Sequence, residues 1–429
     1  MTAPPDQANL PLGLNVEPGA DDDGWHIPPP VTLSDGTRVQ LYKDGEALAA
    51  AMGVIEKARQ LVCLQVYIYK SDETGRAFTE LLAAKAKQGV TVYLLYDSFG
   101  SFKADRGMFQ RIRRAGGHVA EFHPVRPWEC HFGWRPGNRD HRKLLLVDHD
   151  IGGLGGVNIG NEYAGRWVAP NLDEITTYRR DTAIGLRGPA VRHLHKAFAA
   201  AWRYVHRGGP IRRAQFVHDI DTGRPTKGQR LGKQRQYLEY HPTPTPSHET
   251  DLGIFASVPT LSSPLRPYLR RLLESARQNV QLTMAYFAPD EEFLETLCNT
   301  ARRGVRVELM IAGVIDQPIL LVAARSFYER LLSAGVHVYE RQGVMLHSKS
   351  ITVDERLALV GSTNLDYRSI EFNLEISAVV RNAEFCRQMK QLFAHDVEHA
   401  LRIDPQDWRE RPMLDRFLQW SVSRARYLL

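Results

Sequence analysis

The chain has 429 residues, 43% hydrophobic and 24% charged, the balance of a folded globular protein with room for two domains or one duplicated one. Lys and Arg number 55 against 49 acids, and the net charge of +6 favours anionic partners such as phosphate esters, nucleic acid or an anionic bilayer. No window approaches the roughly 18 consecutive apolar residues of a membrane span, so membrane contact is expected to be peripheral. The four cysteines (Cys63, Cys130, Cys298, Cys386) lie far apart and read as reduced thiols, with zinc spacing absent around Cys130, His131 and His123.

Residues 1–35 are rich in Pro, Gly and Asp and lack the basic start and apolar run of a secretory signal, so they read as a flexible lead-in. From there to about 208, helix, glycine and strand alternate. "IEKARQLVCLQVYIY" (55–69) reads as a helix end and an alternating apolar strand, and "LLAAKAKQGVTVYLLYD" as an amphipathic helix stopped at Gly89 before a Val-rich strand. "FQRIRRAGGHVAEF" repeats that pattern. "HRKLLLVD" (141–148) then places His141 and Lys143 at the mouth of an apolar strand that ends on Asp148. A second apolar stretch, "IGGLG", leads to Asn158, and "YRRDTAIGL" carries Asp181 into another strand. Residues 209–250 are basic and rich in Gly and Pro, a linker or inserted surface element. Its cations, with Arg212, Arg213, Lys227 and Arg230 among them, fit a solvated face or a hold on an anionic surface.

Residues 251–405 repeat the first half. "LESARQNVQLTMAYF" matches 55–69, "LCNTARRGVRVELMIAG" has its glycine at Gly304, and "FYERLLSAGVHVYE" follows. "HSKSITVDERLALVGSTN" then aligns with the first motif through His141/His347, Lys143/Lys349, Asp148/Asp354, Gly155/Gly361 and Asn158/Asn364. Every pair is separated by the same 206 residues, from 347 − 141 through to 364 − 158. Residues 406–429 close the chain as an amphipathic helix in which Met413, Leu414, Phe417, Leu418, Ser421, Val422, Ala425, Leu428 and Leu429 form one stripe. That stripe suits either the protein's own core or a bilayer interface.

Alternation of strands and helices predicts an α/β fold: two related halves, each a mixed sheet flanked by helices, packed about a pseudo-twofold axis on one shared site. His and Lys at i and i+2 of a strand point the same way, so two halves bring two His, two Lys and two Asn to one cleft. Such a cleft suits a phosphate. Lysine ammonium and asparagine amide groups donate to its oxygens, one imidazole attacks phosphorus, and the other moves the proton. No metal or other cofactor is expected. Asp181 and Glu375 are candidate acceptors for the second ring nitrogen of the histidine in their own half. Asp148 and Asp354, at strand ends, look more like structural hydrogen-bonders than bases.

At these residues the sequence resembles the phospholipase D superfamily, whose signature is two H-x-K-x4-D motifs meeting in one active site. "GSTNLDYRSIEFNLE" and "GGVNIGNEY…YRRDTAIGLRGPAV" are similar to the bacterial cardiolipin synthases, and the likeness runs from about 36 to 405. The sequence is more similar to the shorter branch of that group, which lacks N-terminal spans. The resemblance implies a catalytic set of His141, Lys143, Asp148, His347, Lys349 and Asp354, with His141 as nucleophile and His347 as acid and base. It implies phosphate contacts from Asn158, Asn364 and Ser362; the first half has Gly156 where the second has Ser362, a position expected to offer a backbone N–H or a small side chain. The implied reaction moves a phosphatidyl group from phosphatidylglycerol or a related lipid to a second lipid alcohol through a phosphohistidine. Water as acceptor makes a phospholipase D hydrolase instead, and a nuclease is the remaining alternative. Phospholipid and an anionic membrane surface are the expected partners, at the cytoplasmic face of a bacterial cell membrane. No nucleic acid is expected, because no groove of alternating aromatic and basic residues for stacking bases stands out.

Overall fold

Short apolar runs bounded by glycine and polar turns become strands, and the amphipathic segments between them become helices laid on those strands. The computed structural model describes residues 24–125, 137–168, 178–206, 251–257 and 265–424. Most of the lead-in (1–23), Cys130, His131, the basic segment 209–250 and Ala425–Leu429 lie outside the described residues.

The first half contributes β1 (Val31–Thr32), β2 (Arg38–Lys43), β3 (Leu61–Val66), β4 (Thr91–Asp97), β5 (His118–Phe122), β6 (Leu144–Val147), β7 (Ile151–Gly155), β8 (Arg179–Arg180) and β9 (Thr182–Arg187). The second contributes β10 (Leu252–Ala256), β11 (Asn279–Met284), β12 (Phe287–Ala288), β13 (Arg306–Ala312), β14 (His337–Arg341), β15 (Met345–Leu346), β16 (Lys349–Val353), β17 (Leu357–Gly361), β18 (Leu365–Asp366), β19 (Ile376–Val380) and β20 (Ala400–Arg402). Two eight-stranded sheets result. One runs β1-β2-β9-β7-β6-β3-β4-β5 and the other β10-β19-β17-β16-β11-β13-β14-β20. Apart from the added edge strands β1 and β20, the two orders are the same. In each, the strands joined by crossover helices pair in parallel (β3-β4-β5 and β11-β13-β14) and the rest pair antiparallel. The fold is thus the mixed α/β duplication that the repeats imply.

The duplicated helix signals act alike. Helix Glu73–Lys87 begins where the Asp72 carboxylate accepts the Gly75 N–H at 3.0 Å, and helix Glu291–Arg302 where Asp290 accepts the Phe293 N–H at 2.8 Å. Both are followed by a glycine in the left-handed region, Gly89 at φ 88° and Gly304 at φ 89°.

The halves share one core. Leu154, Ile184 and Leu186 of the first sheet pack in the same cluster as Val360, Ile376 and Ala378 of the second, together with helices Val191–His206 and Ala383–Glu398. Main chain also crosses between halves. β8 pairs in parallel with β15, and Asp140 forms a parallel bridge with Leu374. Among the described residues no helix is long and apolar enough to cross a membrane.

Candidate active site

Each motif histidine sits just ahead of a central strand, and the crossing main chain holds it there. The His141 N–H donates to the Leu374 carbonyl at 2.9 Å, and the His347 N–H donates to the Arg180 carbonyl at 2.7 Å. Leu374 and Arg180 directly precede Glu375 and Asp181, so each acid is delivered to the histidine of the other half. His141 Nδ1 lies 3.1 and 3.2 Å from the Glu375 carboxylate oxygens, and His347 Nδ1 lies 2.6 Å from Asp181 Oδ2. Pairing each acid with its own half's histidine, as the sequence suggests, is therefore corrected. Within one sheet β7 separates β9 from β6, so Asp181 stands two strands, roughly 10 Å, from His141. The other half's histidine is nearer.

The two imidazoles face each other with ring centroids 6.5 Å apart and planes at 64°. Both are buried. With a carboxylate accepting at each Nδ1, the proton sits there and each Nε2 is left as the reactive nitrogen. Burial pushes His141 below its ordinary value, against the upward pull of Glu375. Burial also holds His347 well below its ordinary value, reinforced by Lys349, Arg179, Lys143 and His141. Burial raises the Asp181 carboxyl to about 6 despite the nearby lysines.

Lys143 and Lys349 are buried beside the histidines, and each ammonium donates back to its own histidine's carbonyl, Lys143 to His141 O at 2.6 Å and Lys349 to His347 O. Burial lowers Lys143 to about 7 and Lys349 to about 8. A buried cluster of cations with depressed affinity for protons is one that an anion can stabilise.

The remaining sequence candidates divide. Asn158 accepts the Ile68 N–H at 3.0 Å and donates to the Tyr163 hydroxyl at 2.9 Å. Asn364 is buried, and its side-chain oxygen has no partner among the described residues. Ser362 hydrogen-bonds Glu375 Oε2 at 2.5 Å, so it steadies a carboxylate one step back from the phosphate position expected of it. Its counterpart Gly156 gives its N–H to the Thr182 carbonyl at 3.2 Å, and a Cβ there would stand 2.1 Å from Asp181 Oδ1. Glycine at 156 is what lets the Asp181 carboxylate approach.

Asp148 and Asp354 leave the catalytic set. Asp148 accepts the N–H groups of Arg59, Gln60 and Leu61 at 2.7–2.9 Å, and Asp354 those of Arg277, Gln278 and Asn279 at 2.8–3.2 Å. They lie at the far ends of β6 and β16, roughly 20 Å of extended chain from the histidines. Both tie the central strand to the start of its neighbour.

Several residues escaped sequence reasoning. The Tyr67 ring lies edge-on to His141 at 4.9 Å with Lys143 Nζ 5.3 Å from its centroid, and the Tyr163 ring lies edge-on to His347 at 5.4 Å under Arg179. Arg180 makes a two-pronged ion pair with Asp396 at 2.8 and 2.9 Å, both side chains buried. The "RR" directly ahead of Asp181 was the available signal for the arginines; the tyrosines look like ordinary strand and loop aromatics. Among the described residues no group of three or more His, Cys, Asp or Glu side chains is placed to hold a metal ion.

Residues 269–397 match the family model "Cardiolipin synthase, PLD-like domain". The chain is 33% identical over 399 residues to a cardiolipin synthase of Geobacillus thermodenitrificans, covering 92% of this chain and 72% of the relative. It is 32% identical over 391 residues to a cardiolipin synthase of Halalkalibacterium halodurans, covering 91% and 71%. A phosphatidylserine synthase of Haemophilus influenzae superposes with a TM-score of 0.67 at 14% identity, over 91% of this chain and 95% of that one, a likeness of fold. With two motif histidines buried side by side and a third of its residues shared across nearly its whole length, the chain belongs to the cardiolipin synthase family.

Proposed function

We propose that the protein transfers a phosphatidyl group from phosphatidylglycerol, or a related phospholipid, to the hydroxyl of a second lipid, with a covalent phosphohistidine on His141. The observation that carries this reading is the pair of imidazoles 6.5 Å apart, each held at Nδ1 by the opposite half's carboxylate and flanked by a buried lysine. In the first step His141 Nε2 forms the bond to phosphorus, the bond from phosphorus to the head-group oxygen breaks, and His347 Nε2 protonates the departing glycerol. Burial and cationic neighbours hold His347 neutral. A bound phosphodiester anion offsets those neighbours, so His347 carries the proton when it is needed. In the second step His347 takes the proton of the accepting hydroxyl, its oxygen bonds to phosphorus, and the phosphorus–nitrogen bond breaks. Lys143, Lys349 and Asn364 hold the non-bridging oxygens, with Asn158 beside them.

The family likeness supports phospholipid substrates, and two features support contact with an anionic membrane surface, which we read as the cytoplasmic face. The net charge is +6, and helix Met413–Arg424 exposes Met413, Leu414, Phe417 and Leu418 at 80%, 67%, 61% and 46%. These four stripe residues face outward, while Ser421 and Val422 further along are half-buried. We read 36–208 and 251–405 as the two functional halves and 209–250 as their connection.

Purified protein incubated with phosphatidylglycerol vesicles is expected to yield cardiolipin and glycerol by mass spectrometry. Phosphatidic acid alone would replace the transferase by a hydrolase, and inertness toward lipid with cleavage of DNA would overturn both.

A further inference from the structure

Duplication makes each half a packing control for the other, and at one place they differ. Beneath helix Glu46–Glu56, between it and strands β6, β7 and β9, the first half has a partly open cavity of about 100 Å³. Protein interiors leave few voids larger than a water molecule, so a cavity of this size needs a cause. The cause is a set of small residues. Taking Ile55 with Leu273 (273 − 55 = 218), Ala47, Ala50 and Ala51 stand where the second half has Leu265, Tyr268 and Leu269. Gly153 stands where it has Leu359 (359 − 153 = 206). Gly155 pairs with Ala183 as Gly361 pairs with Ser377, so Gly185 stands where the second half has Val379. All five larger residues are buried together in the second half's own core. The first half has removed that filling and kept the backbone.

The cavity is directed. Its rim is half-buried at Ala47, Ala51, Ile151, Gly153 and Gly185, and its inner wall includes Lys143, the lysine beside His141. Apart from Tyr42, the polar side chains lining it are Gln65 and Lys143. Gln65 Nε2 donates to Asp140, next to His141, and its Oε1 has no partner among the described residues. Buried water needs two to four polar partners, and these walls offer little of that. Aliphatic chain fits them: the substrates of this family are phospholipids, whose phosphate and acyl chains must be held at once.

We propose that this cavity takes an acyl chain of the lipid whose phosphate sits between His141 and His347, making the first half the chain-binding half. The proposal rests on the phosphatidyl-transfer reading and adds a substrate-length determinant to it. The chain enters past Gly153 and Ala51 and ends its run near Lys143, where the glycerol backbone and phosphate begin.

The test compares kcat/KM for dioctanoyl- and dibutyryl-phosphatidylglycerol, both kept monomeric, by glycerol release. The full-length protein is expected to prefer the longer lipid by at least about tenfold, the worth of two buried methylenes. Gly153→Leu and Ala51→Leu, each restoring the second half's residue, should bring the preference close to one while the melting temperature holds or rises. Because one substitution is on a strand and the other on a helix, a folding defect in either leaves the other to decide. Filled variants that keep the parent's preference, or a parent with no preference, overturn the chain subsite and leave the transfer reading standing. A parent that releases glycerol from neither lipid overturns both.

Discussion

At the scale of single residues, the site is an arrangement of proton affinities. The crossed carboxylates have different work. In the proposed mechanism Glu375, at His141 Nδ1, orients the attacking imidazole and Asp181, at His347 Nδ1, the proton-carrying one. Glu375→Gln is expected to slow formation of a ³²P-labelled phosphoenzyme, and Asp181→Asn to slow both its formation and its discharge, because His347 moves the proton in each step. Each should lower turnover by on the order of 10²–10⁴, the scale seen when a histidine loses its orienting acid. A Glu375→Gln variant that labelled at the parent's rate would overturn the assignment. The lysines set a pH dependence. With Lys143 at about 7 and Lys349 at about 8, rising pH removes the charge proposed to hold the phosphodiester. Affinity for glycerophosphoglycerol, which stays singly charged here, should fall roughly tenfold per pH unit above about 7, where binding takes up one proton, and more steeply above about 8, where it takes up two. Calorimetry from pH 6 to 9 checks it, and a flat profile would count against buried ammonium groups as the anchor. The same shift runs the other way for folding: the unfolded chain binds more protons between about 7 and 10, so the unliganded protein gains stability as pH rises.

Elements depend on how the central strand is tied in. Asp148 (φ 48°) and Asp354 (φ 50°) occupy the left-handed region while their carboxylates collect three backbone N–H groups each. Burial pushes the Asp148 carboxyl up, but the N–H donors of Leu61, Gln60 and Arg59 outweigh it and hold it below its ordinary value. That contribution is present above the unfolded carboxyl value near 4 and is lost as pH falls below it. Asp148→Ala removes the acceptor and strains the turn, and is expected to cost about 1–3 kcal/mol in urea unfolding. Asp148→Asn, tolerant of positive φ and still an acceptor, should cost less. Both should keep their kcat once folded, because the carboxylate touches neither histidine. A collapse of kcat in folded Asp148→Asn would return this residue to the chemistry.

Across the whole molecule, the site belongs to the interface and to neither half. Arg180, on β8, reaches the helix Ala383–Glu398 through Asp396, while its carbonyl holds the His347 N–H and the next residue is Asp181. Removing one partner strands a buried charge. Asp396→Ala is therefore expected to lose about 3–5 kcal/mol of stability. Turnover should fall with it, because the same residue positions His347 and its acid. A wild-type unfolding midpoint in this variant would show that the halves are held by their shared apolar core alone.

Repeat spacing, strand alternation and glycine stops in the sequence were enough for the duplicated α/β fold and for picking out four side chains that the structure buries together, His141, Lys143, His347 and Lys349. These signals are local or periodic, and a constant offset of 206 carries them from one half to the other. Which acid serves which histidine could not be read that way. His141 and Glu375 are 234 residues apart, and the distance between them is set by the packing of two sheets, which leaves no periodic trace in the chain. The same holds for Ser362 behind Glu375, for Arg180 with Asp396, and for the emptiness under helix Glu46–Glu56. Small residues in a sequence show what a side chain lacks, and only the surrounding structure decides whether a neighbour fills the space or leaves it open.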